Sequence, residues 1–303
     1  MSYIHSYSTI SKLSSNSRSL LEGWINGSVQ DRQAVQEPDY KILLNPRAVR
    51  RMSKIIKMGV YTAIEAIGEE TIEGIVHATG LGCLADTQRF LDVIQQAGKD
   101  SILSPTSFIQ STHNTIAGQI ALIKQIQSYN MTHVQNGVSF EAALVDALCL
   151  VGETKGKILV GAADEHAPIL DDLMSHFQID PRLLSFGASS FVIGAEPGDL
   201  PLKITKCEVS AVEGEIELPN VDLLLHGKSF FTGTTSVSEG LHYTPMTGVY
   251  NTNSAAALQL ACEILLASAS ELSKLGIPNP PNTIGVHNNF LNAHQGLVVI
   301  ERT

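Results

Sequence analysis

No apolar run in this sequence reaches the roughly 18 residues that a membrane-spanning helix needs. A helical membrane protein is thereby excluded. Basic residues are also short, with 20 Lys and Arg against 30 Asp and Glu and a formal net charge of −10. Such a surface repels phosphate backbones, so nucleic acid is not an expected partner. The four cysteines, Cys83, Cys149, Cys207 and Cys262, lie far apart with no metal-like spacing. They fit reduced thiols in a cytoplasm, with neither a metal nor another cofactor expected. The opening residues, Met-Ser-Tyr-Ile-His-Ser-Tyr, lack the basic and apolar regions of a secretory leader.

What is present is a chain of 303 residues, 44% hydrophobic and 17% charged, which fits a globular protein with much buried surface. Two small domains or one large α/β unit would both suit that length. Residues Tyr3 to Ile10 read as a strand, followed by a polar loop with a short helix around Leu20 to Ile25. Asn45-Pro46 opens a helix expected to run to about Ile67, with Val49, Met52, Ile56, Val60 and Ile64 facing inward. Its other face carries a basic stripe, Arg47, Arg50, Arg51, Lys54 and Lys57. A strand at 73–79, a helix at 85–97, a bend-prone stretch at 104–118 and a helix from Thr115 to Ser128 come next.

Lys157 to Ala163 is an apolar strand ending in Asp164-Glu165, and Ser189 to Gly194 is another. After a connector at Glu196–Pro201 the pattern restarts. Strands at 203–212 and 221–227 precede an alanine-rich helix at 254–275, then strands at 283–286 and 297–302. The alternation predicts a mostly parallel sheet covered on both faces. Residues 201–303 read as an abbreviated repeat of residues 1–200.

The stretch Thr132 to Leu148 organises the rest. A β-type run ends at Asn136-Gly137, and Phe140, Ala143, Leu144, Ala147 and Leu148 then recur at helical spacing. A strand-to-helix elbow of this kind is where many enzymes mount a nucleophile, because the first helical N–H groups steady developing negative charge. Here the tip holds Gln135 and Asn136, with neither thiol nor hydroxyl. Asparagine is among the best helix N-caps, and capping is the reading favoured for Asn136. Cys149 is expected to be buried in the elbow helix, and Cys83 follows a Gly-Leu-Gly turn; both read as packing residues.

In their order and spacing these segments resemble the β-ketoacyl synthases of the thiolase superfamily, especially the small synthase-like proteins of aryl polyene and flexirubin-type pigment clusters. Ser104 to Gly118, with His113-Asn114 at its centre, is similar to that subgroup's Ser-Pro-Thr…His-Asn…Ala-Gly signature. Gly187 to Gly194 is similar to the synthases' glycine-rich strand, and His287-Asn288-Asn289-Phe290 with Leu297 to Glu301 resembles the closing turn and last strand. The resemblance implies a thiolase-like α/β fold: two fused βα halves with stacked mixed sheets in five layers, the second half shortened.

The resemblance also implies a site. It puts the lost nucleophilic Cys at Asn136, or at Gln135 after a one-residue slip. The first catalytic His would fall on His226, where a structural histidine is an equal reading. The second would fall near Tyr250. Binding roles would go to Gln135, His113, Asn114, Asn288 and Phe290; His113 and Asn114 would organise either the floor of the site or a subunit contact. With no thiolate to hold the acyl chain, condensation fails. The resemblance then implies a chain-length-factor-like partner, in a homodimer or in a heterodimer with a β-ketoacyl synthase. An acyl carrier protein would be a further partner, docking on the Arg47–Lys57 stripe, although a solvated helix face is the commoner explanation of such a run. The competing reading is an acyl-thioester transferase or malonyl decarboxylase built from unorthodox residues.

Overall fold

The structure, a computed structural model, describes residues 2–13, 20–26, 35–96, 103–176, 184–211, 216–229, 240–290 and 293–303. Its first part contains β1 (Ser2–Ile10), α1 (Leu20–Ile25), α2 (Pro46–Val49), α3 (Lys54–Ile67), β2 (Gly74–Ala78), α4 (Leu84–Gln96), α5 (Pro105–Gln110), α6 (Thr115–Lys124) and β3 (Tyr129–His133). Next come α7 (Ser139–Thr154), β4 (Ile158–Asp164), α8 (Pro168–His176) and β5 (Gly187–Gly194). The remainder contributes β6 (Leu202–Ala211), β7 (Leu223–Ser229), β8 (Leu241–His242), α9 (Thr244–Thr247), α10 (Asn253–Leu266), α11 (Ala269–Lys274), β9 (Thr283–Phe290) and β10 (His294–Arg302).

The ten strands hydrogen-bond in the order β3-β2-β4-β5-β1-β6-β10-β9-β7-β8. Read from the centre outwards, the two halves of that order match strand for strand, so β6 answers β1, β10 answers β5, β9 answers β4, β7 answers β2 and β8 answers β3. The directions match as well. β2 is parallel to β3 and β4, and β7 is parallel to β8 and β9. β5 is antiparallel to β1 and β4, and β10 is antiparallel to β6 and β9. The sheet is therefore mixed, which corrects the mostly parallel expectation. Alternation of strand and helix does not reveal where two strands follow each other by a short return, as β9 and β10 do, and a hairpin forces antiparallel pairing.

Only Ser2 and Tyr3 of β1 pair with β6, at Ile204 and Lys203. Away from that seam the half-sheets stack, with α7 and α10 between them. α7 touches β2 and β4 on one side and β6 and β10 on the other, while α10 touches β5 and β1 as well as β9, β10 and β7. α10 is buried on every side from Asn253 to Leu265, as an all-round apolar helix must be. One core cluster consequently draws residues from both halves, among them Val160, Phe191, Leu225 and Val298.

The outer faces differ. α3 and α6 cover the first half, making a second core with Leu159, Ala163 and Val192. Over the second half, no helix layer is present among the described residues. The segment around Ile216 and Val221 lies across Leu297 and Val299 instead. Among the described residues four layers are present where five are expected; only residues 212–222 separate β6 from β7, against the long connection that joins β1 to β2. Every residue of β4 and β5 is buried, whereas in β7 Leu225 and Gly227 are buried and Leu223, Leu224 and His226 are half-exposed.

Local corrections have local causes. The helix expected over 46–67 breaks into α2 and α3, since Ser53 adopts an extended conformation (ψ 174°). The helix expected over 254–275 breaks at Ser268, which forms a capping box with Glu271. α6 stops at Lys124 because Gln125 turns left-handed. The bend-prone stretch contains α5 as well as its turns. Cys149, expected to be buried, is exposed; Cys83 and Cys262 are buried. No helix among the described residues is long and apolar enough to cross a membrane.

Candidate functional site

β3 ends at His133, and the chain turns sharply through a single 3-10 turn, Asn136–Val138, into α7. Asn136 sits at φ 51°, in the left-handed region that asparagine tolerates better than most residues. α7 begins at Ser139, preceded by Val138, with no side-chain cap. The N-cap reading of Asn136 is therefore incorrect, and its use here is conformational. Ser139 closes the turn: its Oγ accepts from Gln135 N at 2.7 Å and donates to Asn136 O at 2.7 Å. Val138 N donates to Gln135 O, and Ser139 N to Asn136 O. Three N–H groups of the elbow are thus spent within it, and the amides of Gln135 and Asn136 face solvent.

From the second half, Asn288 reaches the elbow. Its Nδ2 donates to Gly137 O at 2.6 Å and to Glu141 Oε1 at 3.2 Å, inside the core. Glu141 is wholly buried, and burial pushes its carboxyl up to about 7 against the lowering effect of nearby hydrogen-bond donors, Asn288 among them. Gly296 is required beside it, since a Cβ there would lie 2.5 Å from Glu141 Cγ. Phe290, on the same strand face as Asn288, packs with Val138 and Leu170, joined by Leu81, Leu84 and Leu184. These six side chains form a small apolar cluster against the elbow.

A matching clamp holds the other turn. Asp164, at the end of β4, accepts from Thr252 Oγ1 (2.9 Å) at the start of α10. It also accepts from Thr79 Oγ1 (2.9 Å), Gly80 N (3.0 Å) and Leu81 N (3.0 Å). β4 in one half therefore secures the turn before α10, and β9 in the other half secures the turn before α7.

The other residues singled out from sequence divide accordingly. Tyr250 is buried in the turn before α10, its hydroxyl set against the backbone of Gly187, and burial keeps that phenol protonated. His113 is exposed and rests on Gly82, next to the Leu81 that packs at the elbow; Asn114 precedes α6 without a side-chain cap bond. His226 is not brought to the site. It pairs with His287 on the outer face of the second half, where His287 meets Gln295 at 3.2 Å and the rings of His226 and His242 stand 5.2 Å apart. Asn288, one residue on, points the other way, and strand alternation forbids both from sharing a face. Arg47, Arg50 and Arg51 are exposed around α2, whereas Lys54 pairs with Glu37 at 3.1 Å and lies over the Phe186 ring. Lys57 is half-buried.

Two features escaped sequence reasoning. Glu141 was legible only as a charge on the inner face of an apolar helix. α4 and α5 form an apolar surface: α4 buries only Asp86 and α5 buries nothing, while Leu91, Ile94, Phe108 and Ile109 are exposed, Phe108 at 57%. Phe90 and Phe108 hold the two helices together, ring centroids 5.7 Å apart.

Doubly matched half-sheets around α7 and α10, each entered by a clamped elbow, define a thiolase-like fold. Residues 24–176, half of the chain, match the family described as "Beta-ketoacyl synthase, N-terminal domain", and the chain belongs to that family. No curated protein matches the sequence. Among solved structures it is similar to the ishigamide ketosynthase/chain length factor, at 14% identity over 99% of both chains with a TM-score of 0.74. It is also similar to a ketosynthase (ApeO) in complex with its chain length factor (ApeC) from Xenorhabdus doucetiae, at 15% identity over 99% of this chain and 98% of that one, TM-score 0.58. A third likeness is to a type II PKS acyl-carrier protein in complex with its ketosynthase bound to the hexaketide, AntDE:AntF, at 10% identity over 100% and 99% of the two chains, TM-score 0.71. At these identities the likeness is one of fold.

Proposed function

We propose that this chain is a non-condensing β-ketoacyl synthase homologue that works as a chain-length-factor-like partner of a complete synthase, in polyketide or fatty-acid-like biosynthesis. The observation that carries the reading is the elbow. An acylating enzyme needs a thiolate there, free donors for an oxyanion and space for an acyl chain. This elbow offers two amides, turns three N–H groups inward, and has Val138, Leu170 and Phe290 packed behind it. The exposed apolar surface of α4 and α5 supports a partner, since apolar patches of this kind mark interaction sites. The exposed Arg47, Arg50 and Arg51 are the docking residues proposed for an acidic acyl carrier protein.

Two measurements test the function. Co-expression with a ketosynthase that has a Cys at its own elbow is expected to yield a 1:1 complex by native mass spectrometry. Incubation with a malonyl-loaded carrier protein is expected to release no carbon dioxide above the protein-free rate. Sustained release that disappears in Asn136→Ala would establish the decarboxylase reading instead.

A further inference from the structure

The tip of the elbow joins Asn136 directly to Gly137. That pair carries chemistry of its own. The backbone nitrogen of the second residue can attack the side-chain carbonyl of the first, and glycine, with no Cβ, obstructs the approach least. A folded chain blocks the attack by holding the asparagine amide in a hydrogen bond or by occupying the nitrogen with one. Neither block is present here. Asn136 is exposed, and among the described residues its side chain makes no hydrogen bond. Within the turn Gln135 N, Val138 N and Ser139 N all donate. Gly137 N does not: among the described residues it has no acceptor, as befits an amide in the first turn of a helical segment. Gly137 is held instead through its carbonyl, by Asn288 Nδ2. The 16-residue α7 starts two residues on, and its positive end favours the negative charge that such an attack develops. Gly137 is buried, but its attack is on the neighbouring residue and asks of solvent only the removal of a proton. A second such pair, Asn26-Gly27, has its glycine outside the described residues.

We propose that Asn136-Gly137 is a self-modifying site, at which the folded chain converts its elbow asparagine into aspartate and isoaspartate. Hydroxide takes the proton from Gly137 N. The nitrogen bonds to Asn136 Cγ, the bond from Cγ to the side-chain nitrogen breaks, and that nitrogen takes up a proton and leaves as ammonia. Water then opens the five-membered imide. Attack at Cγ restores the main chain with aspartate, and attack at the backbone carbonyl leaves isoaspartate; nothing is oxidised or reduced. The inference does not depend on the partner-subunit reading. The two products act differently on the elbow. Aspartate tolerates the left-handed backbone and sets a carboxylate at the favourable end of α7. Isoaspartate takes out of the main chain the carbonyl to which Ser139 Oγ and Ser139 N donate, which unties the turn.

The test incubates the full chain in mildly alkaline buffer, folded and in urea, and follows the peptide that contains Asn136 by mass spectrometry. Isoaspartate is counted separately, by enzymatic methylation. A site that had to wait for unfolding would react slower in the folded chain by orders of magnitude. Here the folded chain is expected to convert Asn136 within about threefold of the rate in urea, with isoaspartate among the products. In Gly137→Ala, whose added Cβ obstructs the nitrogen, the rate is expected to fall about tenfold in both states. Conversion in urea with none in the folded chain overturns the inference. So does conversion to aspartate alone, or conversion that Gly137→Ala leaves unchanged, since either bypasses the imide. Should Gly137→Ala fail to fold, the comparison of folded with unfolded wild type decides the matter without it.

Discussion

Asn288 does two jobs with one amide group, tying the elbow carbonyl of Gly137 and the buried carboxyl of Glu141 to the second half. Removing it strands both partners away from water. Asn288→Ala is expected to lower unfolding stability by about 2–3 kcal/mol, read from the urea midpoint, with folding otherwise cooperative. The carboxyl makes a separate prediction. Burial raises Glu141 from its ordinary 4.5 to about 7, so the folded state holds its proton more tightly than the unfolded chain. Its contribution is full below about pH 4.5 and is lost as pH rises through about 7. Glu141→Gln should therefore gain on the wild type by about 3 kcal/mol between pH 4.5 and 8. The difference between the two proteins is the quantity to measure. The wild-type curve alone mixes this slope with the opposite one from His77, which burial depresses to about 4 and which favours folding as pH rises from 4 to 6.5.

Elements show which parts of the fold are written locally. β4, β5 and α7 were legible because their apolar runs and spacing are strong, and the closing motif drew attention to Asn288 and Phe290, which lie against the elbow. His226 was not. It ends an apolar run before a glycine, but its strand continues to Ser229, and the face it takes depends on pairing with β9, more than 50 residues away. The Ser268 break had a local signal, Ser268-Ala-Ser-Glu271, inside a run whose alanines suggested continuity. Ser268→Ala is expected to cost about 1 kcal/mol by thermal denaturation. The elbow itself rests on a left-handed residue. Asn136→Gly should leave stability within about 1 kcal/mol of wild type, whereas a β-branched side chain in Asn136→Val should cost about 1–2 kcal/mol more, by the same assay.

At the scale of the molecule, the halves match in topology and differ in cover. The first half is covered by helices and carries the α4–α5 surface; over the second half, among the described residues, the segment around Ile216 and Val221 takes the place of a helix layer. A partner that relies on that apolar surface should be lost when it is charged. Ile109→Asp is expected to abolish co-purification with a ketosynthase while leaving the melting temperature within about 2 °C, since Ile109 is already exposed. The paired clamps bear on assembly in another way. Asp164 steadies a helix that belongs to the far side of the Ala195–Pro201 connector, and Asn288 returns the favour from beyond it. Severing the backbone at that connector should give two fragments that are each incomplete when made separately but reconstitute when produced together, because each brings the fastening that the other lacks.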